Sequence, residues 1–416
     1  MIYKRMVFRN SSPLSFKKTR ATTDAASQDY IPGSSLYGAI AGSHLKCIQS
    51  EASFNQLLFD EDLIVGNLYP ANFKMLTDSF NNELFQPLPL PASTFSCKRY
   101  QGFISQGKNL NEEYHGVYDL LKYWTLFALF GKSVVNILSS VAKCNYEQNG
   151  KTCNGDKTPI GGYFGFNQYG DIEKTAARLE VVTRTAVDRK TGTALKGALF
   201  SRESLPEGQL FSGRIAISDD KWQKFHRFIE ETSQEGFLRV GNSRSAGYGE
   251  LKLENITQLN DDPAKEIKNR VISFTESVKE LAKENGQNLN FAYLIPITLH
   301  SDAILVEDKL LRYCSGLSEE LWYQYISKYP AKLIYGSGSN HQMIGWNALY
   351  SVPRGKALLV NKGSVYVFGV SEEPDPDSKL WEDLYRIQMR GIGKRTREGF
   401  GQIKVADRFH LEVHGR

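Results

Sequence analysis

Two glycine-rich basic segments carry the first chemistry in this chain: GNSRSAGYGELKL at 241–253 and GIGKRTREGFGQIKV at 391–405. Glycines free the backbone so that main-chain N–H groups can converge on an oxyanion, and adjacent cations add charge beside them. That chemistry is phosphate binding. Arg244 and Ser245 are its candidates in the first segment, and Lys394, Arg395 and Arg397 in the second. Neither is a dinucleotide fingerprint. After Gly391 and Gly393 such a site needs a small residue where Thr396 stands, and an acid about twenty residues further on. FGKSVV at 130–135 fails as a phosphate loop because Leu126 stands where the first glycine belongs.

A third segment, YIPGSSLYGAIAG at 30–42, reads as the start of a helix with an unusual number of glycines. Each glycine costs about 1 kcal/mol in a helix interior, so each asks for a reason. Gly33 with Ser34 and Ser35 would open the helix and bring free N–H groups close to an anion. Gly38 and Gly42, four apart, share one face and would let a second backbone approach, either a strand of the same fold or a polynucleotide.

Cys97, Cys144 and Cys153, with His115 between them in sequence, supply three soft ligands and an imidazole, a set that suits tetrahedral zinc. The eight residues between Cys144 and Cys153 are wider than the tight spacing of a zinc ribbon, so free thiols are the competing reading. The only cofactor the residues point to is therefore a structural zinc. A stretch at 188–208 has little to bury. With Arg184, Arg189, Lys190 and Lys196 it reads as a projecting hairpin able to grip a backbone or enter between bases.

These residues must be held by elements. Ile2, Lys4, Met6 and Phe8 alternate with other residues and predict an opening strand. A long polar loop (11–29) and a helix to about residue 49 follow. Residues 93–165 read as an insertion holding a helix at 115–130 and most of the cysteines. Strands are expected at 179–187 and 208–218, a helix at 219–235, and a strand at 250–256 after the glycine-rich loop. Ile267, Val271, Phe274 and Val278 recur at helical spacing within 259–287, predicting an amphipathic helix that links two halves. The second half is expected to run strand 290–300, helix 318–327, strands 347–352 and 356–370, helix 378–389, loop 391–401 and a last strand. Both halves end helix, glycine-rich basic loop, strand, which suggests two related modules. The class is α+β of the ferredoxin-like (RRM-like) kind: a module at 1–257, a helical linker at 258–287 and a module at 288–416.

Composition agrees. The chain has 416 residues, 41% hydrophobic and 23% charged, with a net charge of +5. That balance is ordinary for a globular protein and too weakly basic to imply nucleic acid without the placement of charge. Five cysteines in this length do not make a disulfide framework, which suits a reducing compartment. The opening residues MIYKRMVFRN lack an apolar core of signal-peptide length, and the apolar stretch 120–131 is too short to span a bilayer. A cytoplasmic protein without membrane contact is expected.

Taken in order, IPGSSLYGAI, AVDRKTGTALKGALFSRESLPEG, GNSRSAGYGELKL and GIGKRTREGFG resemble the RAMP superfamily (repeat-associated mysterious proteins) of CRISPR effector complexes. The span is similar to the large double-module RAMP protein of type III-D systems, grouped with subunits that hold the 5′ handle of the CRISPR RNA. The resemblance implies RRM-like modules whose glycine-rich loops and thumb-like hairpins bind CRISPR RNA. It would set Gly33, Ser34, Ser35, Arg244, Ser245, Lys394, Arg395 and Arg397 near that RNA. Its partners would be other RAMP backbone subunits, the large polymerase-like subunit and target RNA. The second half lacks a counterpart of IPGSSLYGAI. Some RAMP proteins cut RNA, target-cleaving ones with an aspartate before the IPGSSL helix and repeat-processing ones with a histidine. Here Asp24 or Asp29, and His44, occupy those places. Neither has a clear catalytic partner, so a non-catalytic RNA-binding subunit is the leading expectation. An endoribonuclease acting on target or precursor RNA is the alternative.

Overall fold

Residues Ile2–Asn10 form the opening strand because their alternate side chains can enter a core; Met6 and Phe8 are fully buried there. The computed structural model describes residues 2–18, 26–47, 55, 63–72, 86–104, 114–148, 150–166, 172–188, 190–258, 264–326, 329–347, 352–373 and 379–413. Its main helices are α1 (Gly33–Cys47), α2 (Leu121–Phe130), α3 (Val135–Val141), α4 (Asp219–Gln234), α5 (Ala264–Glu284), α6 (Glu319–Tyr325), α7 (Leu380–Arg390) and α8 (Phe409–Glu412). The class is α+β, with antiparallel sheets.

The first sheet runs Leu251–Gln258, Ile2–Asn10, Leu210–Ile217, Ile64–Val65, and Tyr69–Ala71 also pairs with Leu210–Ile217. Strand 2–10 is central, in register from Ile2 opposite Ile217 to Arg9 opposite Leu210. α1 and α4 cover one face. α4 does so with Trp222, Phe225, Phe228 and Ile229, spaced at three and four so that they fall on one side of the helix. The second sheet runs Lys332–Ser337, Val365–Val370, Tyr293–Leu299, Ile403–Val405. Numbered by position within each half, both sheets have the order 4-1-3-2, with one helix after strand 1 and one after strand 3.

The duplication extends to single hydrogen bonds. Asn242 N donates to Ser15 O and Lys394 N to Ile304 O, both at 2.9 Å. Gly249 N meets Pro13 O at 3.0 Å, and Gly401 N meets Asp302 O at 2.9 Å. Glu250 N reaches Ser12 Oγ and Gln402 N reaches Ser301 Oγ. A hairpin stands at the same place in each half: Glu180–Val187 with Ala194–Ser204, and Asn340–Asn347 with Val352–Val360. Their bases are tied by the bridges Leu14–Leu205 and Ala303–Val360.

Several boundaries differ from expectation. The first hairpin is longer than 188–208, because the strand expected at 179–187 is its first arm. In the second half, 332–337 is an unforeseen strand. The apolar run taken as a strand at 356–370 is broken at residues 361–364, where it turns from the second hairpin into a central strand. The helix expected at 115–130 begins at Leu121, since Val117–Asp119 pairs with Thr94–Cys97. α5, expected as a linker, is a core helix of the second half, with Ile267 and Val271 fully buried beneath that sheet.

The insertion also leans on the second half. Leu121, Leu126 and Val134 pack with Phe274, Val278 and Val367, and Phe164 and Phe166 pack with Phe409 and Val413. The run Leu121–Val141 has the length and apolar composition of a membrane span, yet one side of it is committed to this contact. Asp119 Oδ2 lies 2.9 Å from Nδ1 of His410, whose Nε2 lies 2.7 Å from Thr298 Oγ1, all three residues buried. Burial pushes the His410 pKa down, but the charge and hydrogen bond of Asp119 together with the charge of Asp407 outweigh it, and the net shift is upward. Where the two halves and the insertion meet, the rings of Tyr30, Tyr69 and Tyr163 cluster. Tyr69 donates to His300 O at 2.5 Å, and the Lys362 ammonium lies 4.4 Å from the Tyr30 ring centre.

Candidate nucleic-acid interface and metal cluster

The two glycine-rich loops are the same backbone object. Ser243 (φ 60°, ψ 30°) and Arg395 (φ 60°, ψ 32°) occupy the left-handed region. Each opens a 3₁₀ turn, Arg244–Ala246 or Thr396–Glu398, closed by Gly247 (φ 85°) or Gly399 (φ 85°). A left-handed residue costs a non-glycine about 1–2 kcal/mol, so its recurrence at equivalent places marks a shape both halves retain.

Their surroundings differ. In the first half Arg244 and Ser245 are exposed. Above them stands the first hairpin. Arg184 and Phe200 are directly opposite across it, as are Val182 and Arg202, so these four share a face. Arg184 Nη2 donates to Tyr248 Oη at 2.9 Å, with the guanidinium 5.0 Å from that ring's centre. Arg202 donates to Ser243 Oγ. Lys190 is exposed at the hairpin turn, its N–H bonded to Asp188 Oδ1, while Arg189 lies outside the described residues.

In the second half the loop is packed in. Arg395 makes a two-pronged ion pair with Glu398 and lies 4.8 Å from the Phe400 ring centre. Lys394 Nζ is 3.2 Å from Asp308 Oδ1. Arg397 bonds the Tyr37 hydroxyl of α1, a contact within the chain. This loop caps the start of α1. A Cβ on Gly33 would stand 2.5 Å from Val65 O and 2.8 Å from Glu398 O, and one on Gly399 would stand 2.7 Å from Val65 O.

Gly33 is therefore explained by the approach of protein backbone. It is buried and its N–H is given to Asn67 Oδ1 at 2.7 Å, so that N–H is already engaged within the fold. Ser34 and Ser35 are half-buried beside it, with Ser35 N bonded to Pro32 O. At Gly38 and Gly42 a Cβ would meet nothing within 4 Å among the described residues, so no described strand accounts for them. The position of α1 in the second half is filled by the seven-residue α6, in keeping with the missing IPGSSLYGAI counterpart.

Among the catalytic candidates, Asp24 lies outside the described residues. His44 is buried, its ring 5.4 Å from that of Phe228, and burial lowers its pKa. Asp29 accepts a hydrogen bond from Tyr163 at 2.8 Å.

The four metal-ligand candidates do converge. The ligand atoms of Cys97, His115, Cys144 and Cys153 all lie within 4.8 Å of one another. Cys97 Sγ and Cys153 Sγ are 3.7 Å apart, and Cys144 Sγ is 3.4 Å from His115 Nδ1. Metal–sulfur bonds of about 2.3 Å in a tetrahedron put sulfurs about 3.8 Å apart, so the cluster could hold a metal. The wide Cys144–Cys153 spacing is absorbed by a turn: Cys144 N bonds Gly155 O, Asn154 N bonds Cys144 O, and Asn154 adopts φ 51°. Burial pushes the Cys97 thiol up, but backbone hydrogen bonds from Tyr100 and Arg99 help to outweigh it and bring its pKa below the ordinary value. The His115 ring lies between Tyr100 (4.3 Å) and Tyr146 (4.2 Å). Lys157 stands 3.6 Å from the Tyr118 ring centre, and burial lowers its pKa to about 8.

Tyr248, Phe200 and Arg202 escaped the sequence reading. For Phe200 and Arg202 the signal available was alternation along 180–204, which puts them on one face with Arg184 once both arms are recognised as strands; Tyr248 carried no such signal.

A family model described as the RAMP superfamily matches residues 16–252, more than half of the chain. The chain belongs to the RAMP superfamily. The match spans the first glycine-rich loop, the first hairpin and the cysteine cluster of this RAMP protein. No curated protein matches it. Among solved structures, a chain in a cryo-EM structure of the type III-B Cmr-beta bound to cognate target RNA and AMPPnP (state 1) is 11% identical. The alignment covers 87% of this chain and 86% of that one, at a TM-score of 0.38. A chain of Cmr-beta bound to cognate target RNA gives 10%, 87%, 86% and 0.38. One from the apo state gives 14%, 62%, 98% and 0.30.

Proposed function

We propose that this RAMP protein is a non-catalytic RNA-binding subunit of a type III-D CRISPR effector complex, holding the 5′ handle of the CRISPR RNA beside other backbone subunits. One observation carries the reading. In the first half an exposed glycine-rich loop lies under a projecting hairpin, and among the described residues no carboxylate pairs with Arg184, Arg202 or Arg244. Cations without a carboxylate partner beside an exposed loop attract a polyanion, and aromatic neighbours suit its bases. Arg184, Lys190, Arg244 and Ser245 are the assigned RNA contacts. Family membership supports the role, as do the four ordered motifs. The burial of His44 weighs against it as a general acid or base.

The cluster of Cys97, His115, Cys144 and Cys153 would hold a structural zinc: three thiolates and one imidazole leave no open position for a substrate. When bound, the ion would supply folding energy to the insertion.

The test is purification with the partner subunits, sequencing of the retained RNA, and crosslinking. CRISPR RNA crosslinked near Arg184 and Arg244 is the expected result. A complex whose guide crosslinks nowhere on this chain overturns the reading.

A further inference from the structure

The hairpin-over-loop cleft exists twice, and the two copies differ in one consistent way. Aligned on their base bridges and register, Val182–Arg202 of the first hairpin corresponds to Met343–Ala357 of the second, and Tyr248 corresponds to Phe400. In the second copy these residues are apolar and pack together with Ile304, Val306 and Leu359. In the first copy the same places hold Val182, Arg202 and Tyr248: Arg202 donates to Ser243 Oγ, and the neighbouring Arg184 sets its guanidinium 5.0 Å from the Tyr248 ring centre. Phe200, on the same hairpin face as Arg184 and Arg202, is 46% exposed. The position of Phe200 is Gly355 in the second copy, so the exposed ring belongs to the first copy alone, on a hairpin face that also carries Arg184 and Arg202.

We infer that the duplicated clefts have divided their roles: the first takes a single-stranded RNA segment, with Phe200 stacking on a base, and the second is a joint within the chain. This rests on the RNA-binding reading above and deepens it. A single-stranded polynucleotide fits the first cleft because each nucleotide offers an aromatic face for Phe200 and a phosphate for Arg244 or Arg202. The second cleft has lost that capacity. Its loop cations are spent on Glu398, Asp308 and Tyr37, and its backbone is pressed against Gly33 and Val65. The repeated fold supplied one shape, and contact with the first half converted one copy of it from a ligand site into a seam.

The test uses the full chain and a labelled, unstructured 20-nucleotide RNA. Phe200→Ala weakens binding about 5- to 150-fold, the range expected for losing one base stack. Arg244→Gln lowers the slope of log affinity against log salt by about 0.7. Phe200→Trp places an emitter whose added fluorescence is quenched by the RNA. Arg395→Gln leaves RNA affinity within twofold and lowers the melting temperature. Wild-type binding with an unchanged Phe200→Ala variant overturns the assignment of the first cleft. Wild-type binding weakened as much by Arg395→Gln as by Phe200→Ala overturns the division of roles. Failure of the wild-type chain and of its complex to bind RNA overturns the functional reading itself and this inference with it.

Discussion

Gly33 and Gly38 stand on one helix and answer to different constraints. At Gly33 a methyl group would enter the space of two carbonyl oxygens, Val65 O and Glu398 O, one from each half of the molecule. Gly33→Ala is expected to destabilise the protein by about 1–3 kcal/mol, the usual cost of forcing atoms into a filled site. Gly38 is exposed with open space above it, so Gly38→Ala is expected to stabilise the isolated chain by about 0.5–1 kcal/mol through helix propensity. Chemical denaturation of both variants checks the pair. The helix itself was legible from its residues. The reason for Gly33 was not, because the atoms that crowd it come from residues more than thirty and more than three hundred positions away in sequence.

At the scale of elements, the insertion shows what sequence spacing can and cannot convey. Three cysteines and a histidine identify a ligand set, but the nine-position step from Cys144 to Cys153 hides the compact turn that brings both sulfurs to one point. Metal analysis of the purified chain is expected to find one zinc per molecule. Cys144→Ser or a strong chelator should remove it and lower the melting temperature by at least about 5 °C, because a ligand that binds only the folded form stabilises it. Helices with clean apolar spacing, such as α4, α5 and α7, were readable within a few residues. The segment 332–370 was not. Its strand Val365–Val370 is buried along its whole length while the neighbouring hairpin is partly exposed, so no single alternation marks where one ends and the next begins.

At the scale of the whole molecule, the repeat was visible in the two glycine-rich loops. The seam between the halves was not, since residues such as Tyr37 and Arg397 show no sequence sign of meeting. The path of the chain has a consequence for how the protein comes apart. It begins in the first sheet, crosses to the second half as the insertion, returns to complete the first sheet with Leu210–Ile217 and Leu251–Gln258, and crosses again. The halves are interlaced like folded hands. A protease site engineered between residues 258 and 264 should therefore yield two fragments that co-elute on gel filtration and separate only in denaturant. Two fragments running as separate species would show that the grip of Asp119 on His410, and of Phe164 on Phe409, is too weak to hold severed polypeptides together.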